Sequence, residues 1–318
     1  MSDHSNSSTY SALRHGAGFY RRKADFVTMS GADRARFLNG QVTCDVSSLG
    51  DDDTTYGFFT TAKGRIESDV TVVGDSERWL LHLPVDRGEV IRDRLQKYII
   101  VDRVEVELGS FAAFACVGPN AEDLKAALPD SAKVEARSDG FNAWISSEDE
   151  DAVAQAWQEA GGVSVDDEAW ERYRIESSRP RWGQDFGLDH FPKETGLEDA
   201  VSYTKGCYLG QEVVARIHYR GGVQRSLRGL LIQSEHSLEQ LQGATLTHDN
   251  KSVGTLTSLA HGQTGSEAAD SESLSLIGLA IVHHKADIGT DVELTGTKGS
   301  EQEKTTLGQA KIVSLPFA

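Results

Sequence analysis

The chain has 318 residues, of which 38% are hydrophobic, and its formal net charge is -17 at pH 7. This length allows two or three domains with their own cores, and the absence of an apolar run of roughly 18 to 20 residues excludes a helical membrane protein. Acidic residues outnumber basic ones 49 to 32, which disfavours non-specific binding to nucleic acid or to anionic membranes.

The N-terminal residues and the cysteines indicate where the protein works. Residues 1–8 are polar and lack the apolar centre of a signal peptide, so we expect a disordered tail over residues 1–15 and no export signal. Cys44, Cys116 and Cys207 are odd in number and far apart in sequence. This spacing argues against a disulfide framework and for a reducing compartment, so we expect a cytoplasmic protein.

Strand and helix patterns alternate through the first half of the chain. The pairs Ser30 with Asp33 and Asp86 with Glu89 have the spacing of helix N-terminal caps, and Asn120 is a third candidate cap. Apolar periodicity predicts a short helix whose apolar face is Phe37-Leu38, helices near 89–99 and 153–160, and strands at 56–61, 66–73, 79–83, 104–108, 111–117 and 141–145. The pattern favours an α+β fold with antiparallel sheets over a doubly wound one.

The second half of the chain changes character. A helix is predicted to open at Asp166-Asp167, and residues 179–185 and 191–197 have the composition of long loops. Short strands separated by glycines follow at 227–232, 253–258, 277–282, 292–295 and 311–315, which is typical of a small β-barrel or sandwich. The polar stretch 261–272 is interpreted as a solvated hairpin excursion. No GxGxxG or P-loop motif is present.

One cysteine lies in a setting that favours reactivity. Cys207 is flanked by Gly206 and Gly210, and Gln211 begins a predicted helix. The amides at a helix start, together with the Lys205 ammonium, would favour thiolate over thiol. The alternative is that Cys207 is a small buried apolar residue.

A basic segment follows. Residues 213–234 contain no Asp or Glu, but they include Arg216, His218, Arg220, Arg225 and Arg228. Guanidinium groups bind carboxylates through two hydrogen bonds, so the segment is suited to holding an anion. Two alternatives stay open: a solvated face that pairs with the acidic remainder, and direct tRNA binding, which the net charge opposes.

The Lys205-Gly206-Cys207-Tyr208-Leu209-Gly210-Gln211-Glu212 stretch closely resembles the signature of the YgfZ family, relatives of the glycine-cleavage T protein, an aminomethyltransferase. Further matching motifs occur in order along nearly the whole chain. They include residues 37–46, 63–66, 174–176, 182–183, 192–197, 225–230, 253–258 and 315–317. The resemblance implies two interleaved antiparallel α+β lobes within 16–225, with breaks near 50 and 110, a C-terminal β-barrel over 226–318, and a central folate-binding channel.

The same resemblance implies roles for single residues. Glu194 falls on the glutamate that binds the pterin ring, Trp182 on an aromatic residue of the pocket, and Arg225 on an arginine near the folate tail, where it could pair with the glutamyl carboxylate. Gln211 and Arg216 complete the expected tetrahydrofolate-binding set. The structural alternatives are a helix-cap role for Glu194 and a plain core role for Trp182.

One departure from the T-protein pattern bears on activity. T-protein enzymes carry an aspartate after an Asn-containing strand end, and the corresponding stretch, residues 82–89, contains no Asn. The YgfZ-like features instead imply an accessory protein for iron–sulfur cluster assembly or repair, serving enzymes that include tRNA-thiolating ones, with Cys207 and Lys205 as the reactive pair. Because clusters need about four ligands, Cys207 would act as a redox-active or transiently bound thiolate.

The expected partners follow from these roles. They are folate and, transiently, iron–sulfur client or assembly proteins. We expect no membrane association and no direct binding of nucleic acid, and we expect the protein to be a monomer. The alternative from the enzyme class is a folate-dependent aminomethyl or methyl transferase that uses an acid from the Asp86 to Glu89 region as its base.

Overall fold

The protein is described here from a computed structural model, which describes residues 5–262, 275–298 and 303–317. The α-helices are α1 Ser5–His15, α2 Arg34–Asn39, α3 Gly88–Tyr98, α4 Glu150–Glu159, α5 Asp167–Glu176, α6 Gln211–Arg216 and α7 Leu238–Leu241. The strands of the first half are β1 Gly18–Arg22, β2 Asp25–Ser30, β3 Thr54–Thr60, β4 Ile66–Val73, β5 Arg78–Leu83, β6 Glu105–Leu108, β7 Phe111–Val117, β8 Lys133–Arg137, β9 Gly140–Ser146 and β10 Val163–Ser164. The strands of the second half are β11 Arg225–Gln233, β12 Thr245–His248, β13 Lys251–Gly262, β14 Ser275–His283, β15 Asp291–Lys298 and β16 Glu303–Val313.

The chain divides into two compact units. The first comprises the residues up to Trp170 together with Asp199–Glu212, and the second comprises Glu171–Glu198 together with the residues from Val213 onward. The first unit holds two five-stranded sheets, with strand orders β3-β4-β5-β2-β6 (sheet one) and β10-β1-β7-β9-β8 (sheet two). All neighbouring strands are antiparallel except β1 and β10.

The two sheets are interleaved in sequence, as expected. The chain leaves sheet two after β1, builds all of sheet one, and returns to sheet two at β7. The crossings therefore lie between Arg22 and Asp25 and between Leu108 and Phe111. The second crossing follows Leu108, and position 50 lies between α2 and β3 with no change of sheet.

Each sheet of the first unit buries an apolar face. Helices α2 and α3 contribute Leu38 and Ile91 to a core with Val70 and Leu81 of sheet one. An aromatic cluster on sheet two contains Phe19, Phe114, Phe141 and Trp157. Between the sheets, the indole Nε1 of Trp144 donates to Nδ1 of His82 at 3.1 Å. Burial lowers the pKa of His82, so the neutral imidazole is available as the acceptor.

The second unit contains the predicted barrel. Six strands close in the order β11-β14-β13-β12-β15-β16 around buried side chains such as Leu230, Leu246 and Ile312. Residues 171–198 and 213–224 belong to this unit, so residues 16–225 do not form a single unit, in contrast to the predicted division. Residues 263–274, which include most of the predicted hairpin excursion, lie outside the described residues.

The polar loop of this unit is tied to the barrel by a buried network. Asp185 is 1% exposed, and its Oδ2 accepts from the Arg174 guanidinium at 2.7 Å. Its Oδ1 accepts from the hydroxyls of Thr257 and Ser258, each at 2.6 Å. Because an unpaired buried carboxylate is costly, these contacts fix the path of the loop on strand β13.

Residues 5–15 form a helix, so the prediction of a disordered tail through residue 15 is wrong. Tyr10 and Leu13 of α1 are buried, and Thr9 donates to Asp166 Oδ2 at 2.7 Å. These contacts are made with residues far away in sequence, which the polar composition of the segment does not reveal. Residues 1–4 lie outside the described residues.

The predicted side-chain caps are also wrong, for a similar reason. Asp33 stands at the start of α2, but its carboxylate accepts from the backbone and the guanidinium of Arg103. Before α3, Asp86 has a φ of 65°, and the Gly88 amide donates to Asp25 Oδ2 at 2.8 Å. Asn120 precedes a 3-10 helix without a side-chain cap bond. Among the described residues, none of the helices is both long and apolar enough to cross a bilayer.

Candidate functional site

Cys207 lies in a loop, residues 205–210, whose two ends are attached to the first unit. At the start, the Lys205 ammonium donates to the carbonyl oxygens of Val42 at 2.8 Å and Cys44 at 2.5 Å. At the end, the Leu209 amide donates to the Gly40 carbonyl at 3.2 Å. We call residues 205–210 the Cys207 loop. These two contacts are made with residues 40–44. The motif at 37–46 and the motif at 205–212 therefore occur together because they contact each other.

The contact at the end of the Cys207 loop depends on a glycine. Gly210 has a φ of +88°, and a Cβ atom there would lie 2.4 Å from the carbonyl oxygen of Thr61. The Thr60 hydroxyl donates to the Leu209 carbonyl at 2.5 Å. Only glycine combines this backbone conformation with so close an approach. A Cβ at Gly206 would meet nothing within 4 Å, so this second glycine lies in open space.

Lys205 has a role that the sequence did not predict. Its side chain is buried, at 9% exposure, and burial lowers its pKa to about 8, opposed by Cys44 and Asp45. The ammonium is bound by two carbonyl oxygens and lies 5.4 Å from the centre of the Tyr208 ring. Lys205 therefore positions the Cys207 loop, and its expected action on the Cys207 thiol stays a prediction.

The three cysteines differ in accessibility. Cys207 is exposed, whereas Cys44 and Cys116 are buried. Burial raises the pKa of the Cys44 thiol to about 11 and also raises the pKa of Cys116, which keeps both protonated at neutral pH. Cys207 is thus not the buried apolar residue of the alternative interpretation. The helix begins at Gln211 as predicted, but three residues separate it from Cys207, so the thiol is not at the cap position.

In the second unit, Glu194 and Arg225 contact each other directly. Glu194 is 4% exposed, and its Oε1 accepts from Arg225 Nε at 2.9 Å. Its Oε2 accepts from the Phe191 amide at 2.8 Å, which closes the 3-10 helix Pro192–Thr195. Arg225 also donates to the Asp189 carbonyl at 2.6 Å. The helix-cap role considered for Glu194 is therefore real, and it holds the carboxylate in one position.

This contact changes the expectation for Arg225. In a folate, the pterin ring and the glutamyl carboxylates are separated by the whole p-aminobenzoyl group. One extended molecule therefore cannot place its pterin on Glu194 and its glutamyl carboxylate on a guanidinium 2.9 Å away. We correct the tail-binding role of Arg225 to that of a residue that positions Glu194.

Trp182 is half-buried and therefore not a plain core residue. It lines a cavity of about 640 Å³ in the second unit, together with Arg181, Gln184 and Gly243. Its ring meets that of Phe186 edge-on, with centroids 5.9 Å apart. A cavity of this size lies within the range of about 300 to 1,000 Å³ that small-molecule sites occupy.

The remaining predicted residues lie on α6 and beyond. Gln211 and Arg216 are the first and last residues of α6; Gln211 is half-buried and Arg216 is exposed. In the basic segment, Arg220 is exposed, and Arg228 donates to the Leu227 carbonyl at 3.0 Å. No group of three His, Cys, Asp or Glu side chains that could hold a metal ion occurs within residues 5–262, 275–298 and 303–317.

Comparison with known proteins places this geometry in a family context. Residues 10–148 match the family model of the GCVT N-terminal domain. The tRNA-modifying protein YgfZ of Vibrio atlanticus is 29% identical over 211 residues, which cover 64% of this chain and 65% of that protein. The resemblance to the YgfZ proteins is thereby confirmed. YgfZ of Vibrio vulnificus is 31% identical over 212 residues, covering 63% of this chain and 65% of that protein.

Two further similarities define the extent of the match. A putative chloroplastic transferase of Arabidopsis thaliana is 27% identical over 272 residues, covering 76% of this chain and 61% of that protein. The glycine cleavage system aminomethyltransferase T of Bartonella henselae has the same fold, with a TM-score of 0.82 at 19% identity over 98% of this chain and 89% of that one. This likeness confirms the predicted α+β fold with a C-terminal barrel. The chain spans about two thirds of the length of its YgfZ relatives, 65% in the first.

Several of the YgfZ-like motifs make buried contacts that the sequence did not predict. The motif at 174–176 supplies Arg174, and the motif at 253–258 supplies Ser258, to the buried network around Asp185. Likewise, the motif at 37–46 supplies the carbonyl oxygens that bind Lys205. The only signal in the sequence was that these motifs occur in the same chain, since hydrogen bonds between distant segments have no local pattern.

Proposed function

We propose that the protein binds a tetrahydrofolate through Glu194 and uses the Cys207 thiol to support assembly or repair of iron–sulfur clusters in enzymes that modify tRNA. The observation that carries this proposal is the fixed, 4% exposed carboxylate of Glu194. Two relatives with 29% and 31% identity are named tRNA-modifying proteins, which supports the tRNA part of the proposal.

The chemistry of Glu194 suits a pterin. A carboxylate is an acceptor with two oxygens, and the bonds to Phe191 and Arg225 hold that of Glu194 in one orientation, as the paired N–H donors of a pterin ring require. Charge-assisted bonds of this kind are short and strong. Trp182 would contribute an aromatic surface beside the same loop, against which a ring could stack.

The chemistry of Cys207 suits a transient reaction. A single sulfur cannot hold a cluster, but an exposed thiolate on an anchored loop can bind a partner's iron or undergo thiol–disulfide exchange with a partner's disulfide, which releases one of that disulfide's two sulfurs as a thiolate. The client proteins would bind only briefly, and the protein would act as a monomer in a reducing compartment.

Calorimetric titration with tetrahydrofolate tests the proposed folate binding. We expect the wild type to bind and Glu194→Gln to lose at least about tenfold in affinity, which corresponds to about 1.4 kcal/mol. Glu198→Gln is the matched control because Glu198 is exposed and lies in the neighbouring turn. Equal binding by wild type and Glu194→Gln would remove Glu194 from the site, and no binding by the wild type would end the folate proposal.

Complementation tests the proposed role of the Cys207 thiol. In a strain that lacks its own YgfZ protein, we expect Cys207→Ala to abolish recovery of cluster-dependent tRNA modification while its tetrahydrofolate affinity stays unchanged. The Cys116→Ala variant removes a buried thiol and should complement if it folds. Full complementation by Cys207→Ala would refute a role for this thiol.

A transferase is the alternative that the fold itself favours, since the Bartonella aminomethyltransferase shares it. The two acids considered as its base, Asp86 and Glu89, are both exposed, which suits a proton relay in a closed site poorly. Incubation with tetrahydrofolate and a methylamine-type donor should therefore give no turnover. Turnover that depends on either acid would establish the transferase instead.

A further inference from the structure

A second cavity of the second unit has no part in the proposed function. Its volume is about 520 Å³, again within the range for small-molecule ligands. It lies between the loop 183–190 and the barrel strands β11, β13 and β14. Its apolar lining includes Phe186, Leu188, Val253 and Ile281, and its arginine and histidine side chains are Arg225, His190 and His283.

The backbone fixes the tautomers of both histidines. The Gly187 amide donates to Nδ1 of His190 at 3.0 Å, and the Lys285 amide donates to Nδ1 of His283 at 3.2 Å. A nitrogen that accepts an N–H bond carries no proton, so each neutral ring holds its proton on Nε2. The pKa of His190 is lowered by burial and by Arg225, and the pKa of His283 is lowered by burial and by His284. Each ring is therefore a neutral donor through Nε2.

Arg225 adds further donors. A guanidinium has five N–H groups, of which one binds Glu194 and one binds the Asp189 carbonyl. Within the part of the chain that the structure describes, its other three N–H groups have no hydrogen-bond partner. Arg225, His190 and His283 thus all offer N–H donors.

The cavity is also lined by two acids, Asp185 and Asp189. Asp185 is saturated by Arg174, the Arg181 amide, Thr257 and Ser258. Asp189 is exposed, and it meets Arg225 through its carbonyl oxygen. A cavity with N–H donors and an apolar wall is complementary to a molecule with an oxyanion and an apolar body.

We propose that this cavity, lined by Arg225, His190 and His283, binds an organic acid, in which an oxyanion accepts from the three side chains and an apolar body lies against Phe186, Val253 and Ile281. The site is distinct from the proposed pterin contact, since Glu194 is not among its lining residues. The oxyanion is a carboxylate or a phosphate, because both accept the same donors.

Three small probes test this proposal on the full chain. Benzoate and phenyl phosphate carry the two oxyanions, and benzamide is an uncharged molecule of the same shape as benzoate. We expect one or both anions to shift the imidazole NMR signals of His190 and His283 and to bind at least about tenfold more tightly than benzamide. The anion with the higher affinity identifies the oxyanion class.

The matched variants are His190→Leu/His283→Leu and His284→Leu. His284 neighbours His283, with ring centroids 4.4 Å apart, but does not line the cavity. The double variant should lose at least about tenfold in anion affinity, and His284→Leu should bind like the wild type. Benzamide binding equal to that of both anions, or the absence of shifts at both imidazoles in the wild type, would overturn the proposal. These readouts do not involve folate, so they stand apart from the test of Glu194.

Discussion

The Nζ atom of Lys205 lies 2.5 Å from the carbonyl oxygen of Cys44, although 161 positions separate the two residues in the chain. A second carbonyl, that of Val42, accepts from the same ammonium at 2.8 Å. Lys205, two positions before Cys207, therefore binds the loop to the segment 42–44. Its buried charge also makes the stability of the protein depend on pH in a defined window.

Lys205→Met should change that pH dependence. Burial lowers the pKa of Lys205 from 10.5 to about 8, so between these values the folded state binds fewer protons than the unfolded state. The free energy of unfolding of the wild type, relative to Lys205→Met, should consequently rise from about pH 8 to about pH 10. Urea unfolding at both pH values measures this difference. Lys97→Met, at an exposed position, is the control. If the difference in unfolding free energy between the wild type and Lys205→Met is the same at both pH values, the prediction is contradicted.

Thiol titration should separate the three cysteines. In the native protein, an aromatic disulfide reagent should react rapidly with one thiol, because Cys207 is exposed and Cys44 and Cys116 are buried with raised pKa values. Cys207→Ser should abolish the rapid phase and Cys116→Ser should keep it. A rapid phase that survives in Cys207→Ser would show that a buried thiol becomes accessible.

The two glycines of the Cys207 loop should respond differently to alanine. Gly210→Ala forces a side chain into a φ of +88° and toward the Thr61 carbonyl, so we expect a loss of about 1 to 3 kcal/mol or more in unfolding free energy. Gly206→Ala meets nothing within 4 Å and should change stability by less than about 0.5 kcal/mol. Equal losses in urea unfolding would argue against the described anchor.

The buried Asp185 network should matter far more than a surface ion pair. Asp185→Ala removes the buried acceptor of Arg174, Thr257 and Ser258. Because Arg174 keeps its ion pair with Glu171, we expect a loss of about 2 to 3 kcal/mol from the buried donors that lose their acceptor. Lys23→Ala breaks the pair with Asp167, in which both side chains are 69% exposed, and should cost less than about 1 kcal/mol. Urea unfolding measures both, and a small effect of Asp185→Ala would contradict the network.

The elements that the sequence predicted well have strong local patterns. Strands β4 Ile66–Val73 and β7 Phe111–Val117 coincide with their predicted ranges, since each has a continuous run of side chains suited to a sheet with one or two buried faces. Strands β1, β8 and β12 were not predicted. They are four or five residues long, and such short segments lack a clear period.

The sequence by itself determined the α+β class, the family resemblance and the candidates Cys207 and Glu194, because periodicity and motif spacing are local properties. Only the tertiary structure decided what these residues contact. It assigned Lys205 to two backbone carbonyls and Arg225 to Glu194, and it brought His190 and His283 to one cavity. These outcomes depend on pairing between segments far apart in the chain, where each buried charge or donor takes whichever partner the fold brings within hydrogen-bond distance.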